Sequence, residues 1–373
     1  MDTAKTFTPK MILLWRKVAE LPEARRIVDL FPSTPVKIVD HQRFVSSASS
    51  LGQSIRESKK TLMIGQTSSF INGFDGKLGP HICCRPYYKL VPVSNGCPYR
   101  CTYCYLAFVY RKHHPFIKIN VNYDTMLRQI AKLADGSLHK ISFNMGEMLD
   151  SLALDHVTNL SPMLVEFFSR FSNAYLMLLT KSANISNLLS VKPNNQTVVS
   201  WSINSAEAVR RYELDTADID ERIAAAKRCQ NHGYRIRFRI DPGILHPNWQ
   251  NAYAEMIQKM LLSTEPENIT IGMLRLVPGY SRLARQTYPA ETDPASPRFA
   301  EAGESLQNQH LTDLCSDGKL RYPEPQRIEF YTFLIDAIRG VNKTVPVSLC
   351  RETPHVLNTL KGKCQQLTCN CLG

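Results

Sequence analysis

The sequence has no long apolar run. Its longest uncharged apolar runs, such as Ala174 to Leu179, are far shorter than the roughly 20 residues that cross a bilayer. Near the N-terminus there is one apolar run, Met11 to Trp15, and Asp2, Glu20 and Glu23 lie close to it. This composition fits neither a secretory signal nor an acid-poor transit peptide. We therefore expect a cytoplasmic protein that does not use a membrane.

Internal repeats, low-complexity tracts and blocks of five like charges are also missing. With 373 residues, 43% apolar and 21% charged, the composition is that of a globular chain with one large or two ordinary domains. Lysine and arginine number 45 against 33 acidic residues, a net charge of +12. This surplus favours a polyanionic partner, although a basic solvated surface would account for it equally well.

Cysteine is abundant, with 11 residues. An odd number in a reducing compartment argues against a disulfide framework. Cys83 and Cys84 are adjacent, and three further cysteines fall within eight residues near position 100. Four more lie close to the C-terminus. Clustering of this kind indicates metal or iron–sulfur ligation.

The central part of the chain alternates short β-rich runs with longer stretches of helical spacing. The predicted strands are Tyr88 to Val93, Ile141 to Met145, Ala174 to Thr180, Thr197 to Ile203, Arg235 to Ile240 and Ile269 to Val277. This pattern is typical of parallel α/β architecture. We predict a partial (β/α)6 barrel over residues 86–285. An N-terminal extension, 1–85, would begin with an amphipathic helix from Met11 to Leu30. A C-terminal cap, 286–373, would carry a hairpin and the cysteine-rich tail.

The most specific motif follows the first predicted barrel strand. Cys97, Cys101 and Cys104 have CxxxCxxC spacing, which can place three thiolates on one side of a short loop. Three thiolates suit three corners of a [4Fe–4S] cubane and leave the fourth iron open to a chelating ligand. Zinc fits poorly, because its structural sites usually take four protein ligands in paired CxxC units.

This motif, with Tyr103 before its last cysteine, resembles that of the radical S-adenosylmethionine superfamily, whose fold is a partial β/α barrel. The resemblance implies that Cys97, Cys101 and Cys104 hold the cluster and that Tyr103 contacts the adenine. The open iron would chelate S-adenosylmethionine. An electron from a reductant such as flavodoxin or ferredoxin would then cleave it to a 5′-deoxyadenosyl radical that abstracts hydrogen from the substrate.

Further motifs resemble spore photoproduct lyase and its relatives, from about residue 85 to residue 340. They are Cys101 to Leu106, Leu154 to Thr158, Thr180-Lys181 and Ser200 to Ser205. The resemblance implies that Lys181 and Ser202 bind the cofactor, and we assign Asn204 of the same motif to it as well.

Glu147 departs from the lyase pattern. The lyase has at this position a cysteine that returns a hydrogen atom to the product radical, and a carboxylate has no S–H bond to donate. Gly146-Glu147 resembles instead the Gly-Glu of many other radical S-adenosylmethionine enzymes, whose glutamate accepts hydrogen bonds from the methionine ammonium. Another thiol, or a tyrosine such as Tyr105, could then be the hydrogen donor.

Two further groups have competing interpretations. Asp150 and Ser151 could contact cofactor and substrate, respectively, or could cap a helix. Arg239 would point into the barrel, where it could clamp a cofactor carboxylate or a phosphate, or pair structurally with Asp241.

A predicted hairpin after the barrel carries three candidate substrate residues: Lys319, Arg321 and Tyr322. Its turn is Asp317-Gly318. In the lyase a hairpin in this region wedges into DNA. The same composition fits a lid over a phosphorylated small molecule.

The late cysteines, Cys350, Cys364, Cys369 and Cys371, could ligate a second [4Fe–4S] cluster. Tetrahedral zinc and a tail with incidental thiols are the alternatives.

Our main functional prediction is a radical S-adenosylmethionine enzyme that epimerises or rearranges a sugar, nucleotide or natural product. A DNA photoproduct lyase is the alternative within the superfamily. A non-catalytic iron–sulfur or nucleic-acid-binding module is the alternative from another class.

Overall fold

A computed structural model of the chain describes residues 7–42, 54, 57–79, 84–106, 116–280, 282, 284, 309–364 and 369–372. Cys83 and residues 286–308 of the predicted cap lie outside these residues. The described strands are β1 Met11–Trp15, β2 Val36–Val39, β3 Thr61–Gly65, β4 Ile71–Phe74, β5 Tyr87–Leu90, β6 Val93–Ser94, β7 Arg100–Cys101, β8 Ile117–Asn120, β9 Ile141–Asn144, β10 Ala174–Thr180, β11 Thr197–Ser202, β12 Glu213–Leu214, β13 Arg235–Gly243, β14 Ile269–Met273, β15 Asp313–Leu314, β16 Leu320–Arg321 and β17 Val347–Leu349. The described α-helices are α1 Pro22–Asp29, α2 Tyr123–Asp135, α3 Asp155–Thr158, α4 Leu160–Phe168, α5 Ser186–Leu189, α6 Ala206–Tyr212, α7 Ile219–His232, α8 Trp249–Ser263, α9 Glu324–Val341 and α10 Pro354–Thr359.

The barrel is one sheet in the order β17-β14-β13-β11-β10-β9-β5-β4. All its neighbouring strands pair in parallel except β4 with β5. Every residue of β11 and β14 is buried, as expected for strands covered on both faces. The predicted partial barrel is confirmed, and β17 at one edge and β4 at the other extend its sheet beyond the six strands predicted.

The N-terminal region forms a second sheet, β2-β1-β3-β8-β6. The predicted helix from Met11 to Leu30 is wrong in its first part, because Met11–Trp15 is a strand and the helix is Pro22–Asp29. Ile12, Leu13 and Leu14 are buried between the parallel strands β2 and β3, so sheet pairing overrides the helical spacing. Two strands of this sheet, β6 and β8, lie beyond residue 85.

The helix before β13 shows how local sequence sets the barrel rhythm. α7 begins with a capping box in which the Asp218 side chain accepts from Glu221 N and the Glu221 side chain accepts from Asp218 N. It ends at Gly233, whose φ of 105° is the left-handed conformation that glycine adopts without strain. Its buried face packs on β11 and β13.

The C-terminal region closes the barrel. α9 packs against α8 on the outside, and β17 pairs with β14. The last described segment, residues 369–372, enters the barrel. There the Asn370 side chain accepts from Ser200 Oγ of β11 at 2.9 Å and donates to Phe238 O of β13. None of the described helices has the length and apolarity needed to span a bilayer.

Candidate active site

A cavity with roughly 1070 Å³ of space, open to solvent, lies at the carboxyl ends of the barrel strands. The cysteine loop forms one wall, and the rest comes from residues that follow or end β9, β10, β11, β13, β14 and β17 and from Lys319 of the β15–β16 hairpin. Parallel strands bring their carboxyl ends to one edge, which is where sites of β/α barrels are built. The candidate residues that line it are Cys97, Cys101, Tyr103, Cys104, Tyr105, Glu147, Asp150, Lys181, Ser202, Arg239 and Lys319.

The cysteine loop is held from two sides. Lys59 Nζ donates to Cys97 O at 2.8 Å, and Tyr280 Oη donates to Cys104 O at 2.8 Å. Cys101 pairs with Glu213 in the short antiparallel ladder of β7 and β12. Burial raises the pKa of the Cys97 thiol to about 11. The thiol therefore keeps its proton at neutral pH and would release it on binding a metal.

The three thiols suit the predicted cluster. All three line one cavity, and no other described cysteine does. Among the described residues, no three His, Cys, Asp or Glu side chains are grouped as ligands of a single metal ion. A donor set of three thiols suits a cubane with one open iron, because a structural zinc site usually takes four protein ligands.

The Lys181 side chain fits the predicted cofactor role. Its Nζ lies 5.9 Å from the centre of the Tyr103 ring and makes no ion pair with a described residue, so it remains available to a ligand. The Tyr103 hydroxyl donates to Glu213 Oε1 at 2.6 Å. Glu213 in turn forms a buried ion pair with Arg222 at 2.7 Å. This network fixes the ring on which an adenine would rest.

The other candidate side chains form hydrogen bonds within the protein in this structure. Asp150 Oδ1 accepts from Thr180 Oγ1 at 2.7 Å, and its Oδ2 accepts from Lys181 N at 2.6 Å. Ser151 Oγ donates to Met145 O at 2.6 Å, outside the cavity lining. Asn204 is buried and holds Tyr253 and the Pro242 carbonyl. Ser202 lines the cavity and donates to Asp241 O at 3.3 Å.

Glu147 sits between two guanidinium groups. Its Oε2 accepts from Arg351 at 3.1 Å, and its Oε1 accepts from Arg239 at 3.4 Å. Burial would raise the pKa of Glu147, but the charges of Arg351 and Arg239 outweigh burial and leave it below the ordinary value. Gly146 permits this placement, because a Cβ there would lie 2.9 Å from Leu179 O. Glu147 is therefore an ionised carboxylate at the cavity wall.

Arg239 and Arg275 share a second carboxylate, Asp241. Arg239 Nη2 lies 2.8 Å from Asp241 Oδ2, and Arg275 Nη2 lies 2.9 Å from Oδ1. Burial raises the pKa of Asp241, but the two guanidiniums reverse this and hold it well below its usual range. The sequence reasoning considered the Arg239–Asp241 pair, but it missed Arg275 and Arg351. No local motif marks them, because they follow β14 and β17 and meet their partners only in the folded barrel.

The hairpin β15–β16 presents one of its three candidates to the cavity. Lys319 lines it, with Nζ 5.3 Å from the centre of the Tyr105 ring. Arg321 is fully buried and pairs with Asp317 at 2.7 Å. Tyr322 is 2% exposed, and its hydroxyl bonds Gln309. Arg321 and Tyr322 therefore shape the hairpin in this structure.

The tail cysteines divide into two places. Cys371 lies 3.8 Å from Arg239 Nη1 and 3.9 Å from Glu147 Oε1, and Cys350 lies 3.1 Å from Arg239 Nη2. Cys369 hydrogen-bonds both Cys84 and Cys371, and its bond to Cys84 lowers the pKa of the Cys84 thiol. We call Cys84, Cys350, Cys369 and Cys371 the thiol group. Cys364 stands apart: it bonds Leu360 O, and burial alone raises its pKa. A second cluster stays a prediction.

The comparisons with known proteins agree on one family. The family model described as "Spore photoproduct lyase" matches residues 7–291. A spore photoproduct lyase of Clostridium acetobutylicum is 28% identical over 260 residues, which are 67% of this chain and 73% of the relative. One of Geobacillus sp. is 25% identical over 297 residues, 76% of this chain and 84% of the relative. One of Bacillus subtilis is 26% identical over 261 residues, 68% and 73% of the two chains.

The fold is also found among solved structures. A spore photoproduct lyase complexed with dinucleoside spore photoproduct has a TM-score of 0.75 at 22% identity, covering 91% of this chain and 98% of the other. A variant with bound AdoMet and the same lesion has a TM-score of 0.73 at 22% identity, with the same coverage.

Proposed function

The chain belongs to the spore photoproduct lyase family of radical S-adenosylmethionine enzymes, and we propose that it repairs a photoproduct in DNA. Membership makes it an enzyme and not a non-catalytic module, and the predicted cofactors, S-adenosylmethionine and a [4Fe–4S] cluster, are confirmed with it. The proposal concerns the substrate, which the curated relatives and the complexed structure name as a spore photoproduct.

One observation carries the proposal. A single cavity holds the three thiols, the Lys181 ammonium and, at the hairpin, Lys319. The same cavity therefore offers places for a cluster, for a cofactor and for an anionic substrate. A net charge of +12 supports a polyanion as the substrate.

Epimerisation or rearrangement of a sugar or natural product, which the sequence favoured, finds no support in the comparisons. The family and all three curated relatives are described as lyases of the spore photoproduct. The replacement of the donor cysteine by Glu147 changes how the reaction ends. It does not change the residues that begin it.

The bound cofactors would supply a 5′-deoxyadenosyl radical that abstracts hydrogen from the lesion. The chain would position them: Cys97, Cys101 and Cys104 hold the cluster, and Lys181 and Ser202 hold the cofactor. Glu147 would accept from the methionine ammonium, and its two arginines keep it ionised for that purpose. The electron would come from a flavodoxin or ferredoxin.

Tyr105 would return the hydrogen atom. It lines the cavity and is 39% exposed, and its hydroxyl lies 3.5 Å from Met148 Sδ. Its O–H bond would break as the product C–H bond forms. One electron and one proton from the reductant and solvent would then restore the phenol. The alternative donor, Cys371, does not line the cavity, and its Sγ lies 3.9 Å from Glu147 Oε1.

The test is anaerobic turnover of a dinucleoside spore photoproduct by the reconstituted protein with dithionite. We expect the lesion to disappear and the two separate nucleosides to form, as followed by chromatography. The Cys101→Ala variant is the matched control for background reduction. Sustained cleavage of S-adenosylmethionine without any loss of lesion, in the dinucleoside or in irradiated DNA, would refute DNA repair and leave the superfamily chemistry intact.

A further inference from the structure

The lining of the cavity carries more positive charge than its own acids neutralise. Lys319, Arg275 and Arg351 all line the cavity. Arg275 pairs with Asp241, and Arg351 pairs with Glu147. Each of these carboxylates also serves Arg239.

The balance of this group is therefore four cations against two carboxylates. The unpaired member is Lys319, whose ammonium forms no ion pair with any residue that the structure describes and lies 5.3 Å from the centre of the Tyr105 ring. Burial, followed by the charges of Arg275 and Arg351, lowers the pKa of Lys319, while Asp317 and Asp241 oppose that effect. An anion at this place would relieve the repulsion among the cations.

The backbone that presents Lys319 is fixed to the barrel. Leu320 N donates to Leu276 O at 2.8 Å, and Leu276 N donates to Leu320 O at 3.1 Å. Arg321 Nη2 donates to Arg351 O at 3.0 Å, which joins the hairpin to the residue beside Lys319 in the cavity. The three cations thus come from the hairpin, from the end of β14 and from the end of β17, and they are held before a ligand arrives. A preorganised set of donors is what a selective anion site requires.

We propose that Lys319, Arg275 and Arg351 form a phosphate subsite that binds a phosphodiester of the damaged DNA. The proposal rests on the proposed function and names a part of its substrate. Arginine supplies the planar donor pair that matches phosphate oxygens, and lysine supplies a point charge. The phosphate is either the one between the two joined nucleosides or one that flanks the lesion.

Three synthetic lesions separate these sources: the dinucleoside without phosphate, the dinucleotide with the internucleotide phosphate only, and the dinucleoside with one flanking 5′-phosphate only. The holoenzyme is assayed with each one, and kcat/KM is compared. We expect one of the phosphate-bearing lesions to be preferred by about tenfold or more over the dinucleoside, since a charge-assisted contact is lost without the phosphate.

Lys319→Met should bring this preference close to one, and Lys319→Arg should restore most of it. Lys361→Met, which removes an exposed lysine outside the cavity, should keep the preference of the parent enzyme. The dependence of binding on salt should also weaken in Lys319→Met, by about one unit of slope in log K against log salt.

A second measurement does not need repair. Undamaged dithymidine monophosphate is titrated into the reconstituted protein, and the affinity is compared with that of the Lys319→Met variant. Equal affinities, or an equal preference in both proteins, would overturn the subsite. A variant that loses affinity for S-adenosylmethionine would assign these cations to the cofactor and overturn it as well. Absence of repair with all three lesions, together with a Lys319-dependent affinity for the phosphate, would refute the proposed function and keep the subsite.

Discussion

Arg351 donates to Glu147 Oε2 over 3.1 Å and so joins the segment that follows the last barrel strand to the loop that follows β9. The two residues are 204 positions apart in the sequence. Their contact explains how a carboxylate can be accommodated in this buried wall of the barrel. The second guanidinium, Arg239, completes the pairing, and the carboxylate remains charged in a buried wall.

Glu147→Gln tests this pairing. The change leaves Arg351 with a neutral partner and removes one of the two carboxylates that Arg239 contacts, so we expect a loss of about 3 kcal/mol in the free energy of unfolding. We also expect weaker binding of S-adenosylmethionine while the cluster absorbance is preserved. Urea unfolding and titration of the cofactor against the reconstituted variant measure the two effects. Unchanged affinity combined with collapsed turnover would move Glu147 from the cofactor to the substrate.

The pH dependence of stability provides a second test of Glu147. Because its pKa is lower in the folded protein, its contribution is fully present above the unfolded-state pKa and is lost as pH falls through the folded-state pKa. The parent protein should thus lose more stability on acidification than Glu147→Gln does. The difference between their unfolding free energies, measured from neutral to acidic pH, should shrink. A constant difference across that range would contradict the inferred shift.

Cys101→Ala tests the cluster assignment. Two thiolates cannot hold a catalytic cubane, so the [4Fe–4S] absorbance of this site and reductive cleavage of S-adenosylmethionine should be lost together. Cys229→Ala is the matched control, because Cys229 is buried on α7 and lies outside the cavity lining. The control should keep iron and cleavage. Full cleavage by Cys101→Ala would be incompatible with the role of the loop.

Tyr105→Phe tests the hydrogen donor. The phenyl ring still offers its face to Lys319, but the O–H bond is gone. We expect cleavage of S-adenosylmethionine to continue while repaired nucleosides fall by at least about tenfold, corresponding to 1.4 kcal/mol or more in the barrier. In Cys371→Ser, the yield of repaired nucleosides per cleaved S-adenosylmethionine should stay as in the parent enzyme. The reverse pattern would make the tail thiol the donor.

The sequence predicts the barrel closely, because its periodic signals are local. Ala174–Thr180 is a strand with the predicted bounds, and the helix Ile219–His232 carries its own cap residues in the local sequence. The motif at Cys97 is local as well. Met11–Trp15 could not be assigned in this way, because its strand pairing depends on residues 36–39 and 61–64.

The residues that complete the site are harder to predict. Arg351 follows a strand outside the six-fold rhythm, and its partner is far away in the sequence. Cys84 belongs with the tail thiols although 285 positions separate it from Cys369. Spacing along the chain groups Cys364 with the tail, and only tertiary packing separates it from the others.

The thiol group provides the last prediction. A second cubane in the tail would raise the iron content after anaerobic reconstitution to about eight per chain, against about four with the first cubane alone. Replacing Cys369 and Cys371 together by Ser should then remove about half of the iron and spare cofactor cleavage. Because Cys84, and not Cys364, contacts Cys369, we expect Cys84→Ser to lose the same iron and Cys364→Ser to retain it. Iron of about four in the parent protein, with all three variants unchanged, would show that the tail holds no cluster. One equivalent of zinc lost with Cys369 and Cys371 would give the same thiols a structural role.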